Sequence, residues 1–294
     1  MENILVVDDE TELWKICQST LENNGYMVHA ASTADHAVEL LEDVSFDVAF
    51  VDLRMPGRID GLDLLKTVRE RFSRTDVIIV TADETIETAV ECLKAGAFDY
   101  ILKPFHLSEL LDGVRISRAL RELRKRQPIS IEGEYFERLF DSAMQKNSRK
   151  ELLKAILEMA VKTLHADEGS IHLYVPERNS LRMISSTGSE VEKENEVKLG
   201  ERIVGWVAKN RQPMIIQDKL HEHDQFKQLS IRNEIASSMI VPLVKHNLLL
   251  GALCLNRMAA RTNVKFTDDD LLLLRHFAIH SSLALFLQHR GSFF

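Results

Sequence analysis

The alternation of short apolar runs with helical patterns restricts the fold of this chain more than any other feature. Runs at residues 4–7, 27–30, 48–51, 77–80 and 100–102 recur about every 25 residues through the first third of the sequence. Helical patterns lie between them at 10–21, at 34–41 (with Thr33 as cap), at 62–71 and at 84–93. This order predicts an α/β domain with a doubly wound five-stranded parallel sheet and helices on both faces. In such sheets ligands bind just beyond the carboxyl ends of the strands.

The residues at those ends share a chemistry. Asp8 and Asp9 follow the first run, Asp52 the third, Thr81 the fourth and Lys103 the fifth. An Asp at a strand end often does no more than cap a turn. Three carboxylates at one sheet edge are another matter, since two unit charges ~4 Å apart repel by roughly 4 kcal/mol at an effective dielectric of ~20. Lys103 alone does not neutralise them. A hard divalent cation does, and Mg²⁺ held by carboxylates with exchangeable waters suits phosphoryl transfer. Asp52 is then the candidate nucleophile, forming an acyl phosphate.

With Val6-Val7-Asp8-Asp9-Glu10, Asp52-Leu53-Arg54-Met55-Pro56-Gly57, Thr81-Ala82 and Lys103-Pro104-Phe105 in place, the first domain resembles a response-regulator receiver domain over residues 1–118. The resemblance implies a flavodoxin-like fold and a role in bacterial two-component signalling. Asp52 would accept a phosphoryl group from a histidine-kinase phosphohistidine or a phosphotransfer protein. Asp9, Asp52 and the main-chain carbonyl of Arg54 would hold Mg²⁺, with Asp8 acting mainly through water. Thr81 and Lys103 would grip the phosphoryl oxygens, and Tyr100 would be the switch aromatic that turns inward after Thr81 moves. Pro56-Gly57-Arg58-Ile59-Asp60-Gly61 carries one residue more than the family spacing. Arg54 and Asp83, each two residues beyond a site residue, are expected to flank the phosphoryl group together.

From Leu107 a helical pattern continues to about Arg126. Leu107, Leu110, Leu111 and Val114 form a stripe suited to the sheet, while Ile116, Leu120 and Leu123 form a second one on another face. That second stripe is expected to need a separate partner. Residues 119–134 read as a helical linker whose basic outer face is solvated, and Pro128 ends the helix.

Residues 135–290 read as α+β. Ser148-Arg149-Lys150-Glu151 has the form of a capping box ahead of an amphipathic helix. Strands are expected at 170–175, 181–186, 213–217, 237–245 and 248–256, with a long helix at 267–288. The stretches Leu199-Gly200-Glu201-Arg202-Ile203-Val204-Gly205-Trp206, Ser237-Ser238-Met239-Ile240-Val241-Pro242-Leu243, Leu250-Gly251-Ala252-Leu253 and Phe266-Thr267-Asp268 resemble those of a GAF domain. That family implies a central antiparallel sheet, frequent dimerisation and a pocket for a small molecule whose identity the motifs leave open. Cys254 sits in a strand-like run and reads as core rather than as an attachment point for a bilin. His221-Glu222-His223-Asp224 reads as solvated loop rather than as a metal site.

Bulk properties exclude several classes. No apolar stretch reaches the ~18 residues of a membrane span. The three cysteines are isolated, which argues against a disulfide framework or a zinc site and fits a reducing cytoplasm. Of the net charge of −8, residues 1–106 hold 21 acids against 9 Lys/Arg, so neither half has the basic balance of a nucleic-acid binder. The expected function is therefore a two-component response regulator with a GAF sensory or dimerisation domain and no enzyme output. Its partners are a histidine kinase and a second copy of the chain. Two other classes stay compatible: the front of a larger histidine kinase or effector, and an aspartate-nucleophile phosphatase. Such phosphatases carry a second acid two residues on, where this chain has Arg54.

Overall fold

The computed structural model describes residues 2–57, 59–83, 85–126, 149–188, 196–217, 235–245, 247–261 and 264–290. The chain divides into two compact units, Met1–Glu137 and Arg138–Phe294.

The first unit contains β1 (Asn3–Val7), β2 (Met27–Ala31), β3 (Val48–Val51), β4 (Asp76–Thr81) and β5 (Asp99–Leu102), all parallel, in the order β2-β1-β3-β4-β5. Helices α1 (Thr11–Asn23), α2 (Ala34–Asp43), α3 (Gly61–Arg71), α4 (Ile86–Lys94) and α5 (Leu107–Arg126) alternate with them. Every residue of β3, β4 and β5 is buried, as expected of strands covered on both faces. Side-chain caps set three helix starts. Thr33 accepts from the amide of His36, Asp60 from that of Asp63, and Thr85 from that of Thr88.

Helix α5 departs from expectation in one respect. Leu110 and Val114 are buried and Leu107 is exposed, but Ile116 and Leu120 are buried as well. The idea that Ile116 and Leu120 stand free for another partner gives way. Between them, Ser117 donates to Asp76 Oδ2 at 2.6 Å. Arg121 donates to the Asp47 carbonyl and carboxylate at 3.0 and 2.8 Å and pairs with Glu2 at 3.1 Å. These long-range bonds hold the helix against the amino-terminal edge of the sheet. The expected linker thus begins inside α5, while its residues 127–134 and the side chain of Leu123 lie outside the described residues.

The second unit is an antiparallel sheet of β6 (Glu168–Val175), β7 (Ser180–Thr187), β8 (Glu196–Lys198), β9 (Met214–Ile216), β10 (Ile235–Lys245) and β11 (Leu248–Met258), in the order β8-β7-β6-β11-β10-β9. Helices α6 (Arg149–Thr163), α7 (Arg202–Asn210) and α8 (Asp268–Arg290) pack on it. Alternation along the central strands separates two faces. Val207 of α7 packs with Ile240 and Ala252 on one of them. On the other, Gly169 lies so close to Leu157, Val161 and Leu255 that a Cβ would meet each below 3.0 Å. Buried Arg257 joins the end of α6 to the start of α8. It donates to the carbonyls of Leu164 and Lys265, both at 2.9 Å, and its guanidinium lies over the Phe266 ring. The three-residue edge strand β8 was not foreseen. Ser148 and His221–Asp224 lie outside the described residues.

Candidate functional site

Parallel topology brings the carboxyl ends of β1, β3, β4 and β5 together, and the residues that follow them meet there. Lys103 Nζ donates to Asp52 Oδ2 at 2.7 Å, to Asp8 Oδ2 at 2.8 Å and to Glu10 Oε1 at 3.1 Å. Lys103, Asp8 and Asp52 have side-chain exposures of 11%, 8% and 6%, whereas Glu10 is 63% exposed. Backbone amides fix the carboxylates: that of Glu10 donates to Asp8 Oδ1 at 2.8 Å and that of Arg54 to Asp52 Oδ1 at 3.1 Å.

Burial raises the Asp8 pKa, against the opposing pull of Lys103 and the Glu10 amide. Burial pulls Lys103 down, but its hydrogen bonds to Asp52 and Asp8 outweigh that and leave it raised. The ammonium is therefore held charged.

The oxygens of Asp8, Glu10 and Asp52 lie within 4.8 Å of one another. Three carboxylates against one ammonium leave a formal charge of −2, and hard oxygen donors suit Mg²⁺. The donor set fits the ion. Asp9, expected as a direct ligand, is exposed and stands outside this trio, while Glu10, which the sequence reading did not single out, belongs to it. The signal was present in the Asp-Asp-Glu run, but a residue that also begins a helix reads as part of that helix.

Around the carboxylates lies a second set of contacts. The fully buried Thr81 hydroxyl accepts from the Asp83 amide at 3.2 Å. Fully buried Tyr100 points inward and its hydroxyl donates to the Asp83 carbonyl at 2.7 Å. The Asp83 carboxylate pairs with Arg54 at 2.8 Å and accepts from the amide and hydroxyl of Thr85. Burial opposes ionisation of Asp83, yet the bonds from Thr85 and Arg54 leave its pKa lowered. Asp83 thus ties together Arg54, Thr81 and Tyr100. Gly61 is required by close approach: a Cβ there would lie 2.1 Å from the Asp52 carbonyl oxygen. Beneath the carboxylates a water-sized cavity of about 10 Å³ is lined in part by Trp14, Cys17, Asp8 and Asp52.

In the second unit, Ser170 of β6 pairs in register with Cys254 of β11, and its hydroxyl lies 3.1 Å from His172 Nε2. Burial pulls His172 down to about 4 and pushes Cys254 up to about 12, so the imidazole is neutral and the thiol protonated at pH 7. A protonated thiol is a poor nucleophile.

Family models match almost the whole chain in two pieces. Residues 4–131 match the response regulator receiver domain and residues 148–285 the GAF domain. The regulatory protein AtoC of Escherichia coli is 33% identical over 175 residues, covering 58% of this chain and 38% of that protein. The nitrogen assimilation regulatory protein NtrX of Azorhizobium caulinodans is 34% identical over 140 residues, covering 45% and 31%. Among solved structures, the receiver domain of the Francisella response regulator 1452 is 34% identical, covering 40% of this chain and 96% of that one at a TM-score of 0.38. The chain spans less than half the length of the curated relatives it matches.

Proposed function

Because the chain belongs to the response regulators, as a receiver domain followed by a GAF domain, we propose that Asp52 is the phosphoacceptor of a two-component pathway. The observation that carries this reading is the meeting of buried Asp52 and Asp8 with Lys103 at 2.7 and 2.8 Å. A carboxylate oxygen of Asp52 attacks the phosphorus of a phosphohistidine on a histidine kinase or phosphotransfer protein. An O–P bond forms as the P–N bond breaks, and the departing imidazole nitrogen takes a proton from solvent. Lys103 and the Thr81 hydroxyl then bind the phosphoryl oxygens. Asp52, Asp9 and the main-chain carbonyl of Arg54 would hold Mg²⁺, with Asp8 acting through water, and the ion would supply charge neutralisation for the transferring group. Tyr100 reports the state of Thr81 through the β4–α4 loop.

In this reading the receiver occupies 1–118, a helical connector 119–134 and the GAF domain 135–290. The connector passes the state of Asp52 to the GAF domain, which dimerises and can hold a small molecule. The chain works in the cytoplasm without nucleic acid, and its only catalysis is its own phosphorylation and dephosphorylation. No helix among the described residues is long and apolar enough to cross a membrane. Incubation with Mg²⁺ and acetyl phosphate is expected to give a hydroxylamine-labile adduct on the wild type and none on Asp52→Asn. Equal labelling of the two would overturn the assignment.

A further inference from the structure

Glu10 occupies the N-cap position of α1, yet its side chain caps no amide of that helix. A carboxylate there would normally stay near the helix amino terminus, where the dipole favours it. Instead it reaches across to Lys103, 93 residues away in sequence, and accepts from Nζ at 3.1 Å. The ammonium has three donors, and all three are engaged by Asp52, Asp8 and Glu10.

The three acceptors differ in freedom. Asp8 and Asp52 are almost wholly buried and pinned by backbone amides, whereas Glu10 is 63% exposed on its side chain. A phosphoryl group arriving on Asp52 brings three new acceptor oxygens to the same ammonium. Something has to let go of a donor, and Glu10 loses least, since water replaces Lys103 at its carboxylate. It also gains by leaving, because the phosphoryl group adds negative charge beside it.

We propose that Glu10 is an internal competitor for Lys103. It holds the third donor of the ammonium in the resting chain and gives it up when Asp52 carries a phosphoryl group, so it sets the affinity of the site for that group. This rests on the reading of Asp52 as phosphoacceptor. Glu10 is thus a positioning residue, acting through Lys103.

The test is calorimetric titration of the full chain with beryllofluoride, a phosphoryl mimic, at saturating Mg²⁺, beside a titration with Mg²⁺ alone. Glu10→Gln keeps the size of the side chain and removes its charge. It is expected to bind beryllofluoride about fivefold more tightly than wild type while binding Mg²⁺ no more tightly. Glu10→Asp keeps the charge but is one methylene shorter, so it loses the contact with Lys103 and is expected to behave as Glu10→Gln. Unchanged or weaker beryllofluoride binding in Glu10→Gln would refute the competition. So would wild-type affinity in Glu10→Asp, since general charge rather than contact would then be responsible. Failure of the underlying reading looks different: beryllofluoride would bind Asp52→Asn as well as wild type, whatever residue stands at position 10.

Discussion

Removal of Lys103 exposes the electrostatic logic of the site most directly. In Lys103→Met, the buried carboxylates of Asp8 and Asp52 lose the ammonium that contacts them at 2.8 and 2.7 Å. Breaking a buried ion pair by deleting one partner costs roughly 3–5 kcal/mol. Asp8 can escape part of that cost by taking a proton, so a loss of about 3 kcal/mol at pH 8 is expected. At an m-value of about 1.5 kcal/mol/M, this moves the urea midpoint down by about 2 M.

The pH dependence follows from the sign of each shift. An acid whose folded pKa is raised, as burial raises Asp8, is most favourable to folding at low pH and becomes less so as pH climbs through that pKa. Loss of Lys103 removes contributions that hold Asp8 down, so the penalty is smaller at pH 5 than at pH 8. The raised pKa of Lys103 keeps its own contribution whole across that window, and that contribution lapses only above the ordinary lysine range. Mg²⁺ at 100 times its dissociation constant stabilises by about 2.7 kcal/mol and is expected to restore most of the loss. Urea unfolding followed by Trp14 fluorescence in a Trp206→Phe background reads all three effects. A penalty equal at pH 5 and pH 8, with no recovery in Mg²⁺, would show that the carboxylates do not depend on Lys103 for their charge balance.

Arg54→Ala is expected to shorten the lifetime of the phosphoprotein several-fold, because the Arg54–Asp83 pair flanks the acyl phosphate; an unchanged decay rate after donor removal would dismiss this shielding. Gly61→Ala would place a Cβ 2.1 Å from the Asp52 carbonyl and 2.6 Å from Leu53 Cα, so the loop must shift. A loss of about 1–3 kcal/mol and slower labelling of Asp52 are expected, checked by urea midpoint and phosphorylation rate. Arg121 anchors α5 through Asp47 and Glu2, so the proposed connector would act beyond that residue. Inserting seven residues after Lys125 preserves helical phase to within about 20°, and inserting two turns it by about 200°. Sedimentation should then show phosphorylation-dependent association kept in the first and lost in the second, and the same response in both would mark a flexible tether.

The five parallel strands and the meeting of Asp8 and Asp52 with Lys103 could be read from the sequence, because they depend on local patterns and on one topological rule. Strand runs separated by helices force parallel pairing, and parallel pairing places every strand's carboxyl end at one edge. The Arg54–Asp83 pair followed from the same placement, two residues beyond Asp52 and Thr81 on neighbouring strand ends. The GAF strands were readable by their alternation, apart from β8. What only the tertiary structure decided were the choices made by flexible side chains among several partners. Lys103 takes Glu10 as its third acceptor while Asp9 faces solvent, and Arg121 reaches Asp47, 74 residues away, so that the helix thought to leave the domain stays on it. Gly61 meets the Asp52 backbone, and Tyr100 lies inward on the Asp83 carbonyl. Strand and helix periods are set by neighbours along the chain. The rotamer of a lysine, a glutamate or an arginine is set by which charges the finished fold leaves within a few ångströms, and no spacing in the sequence records that distance.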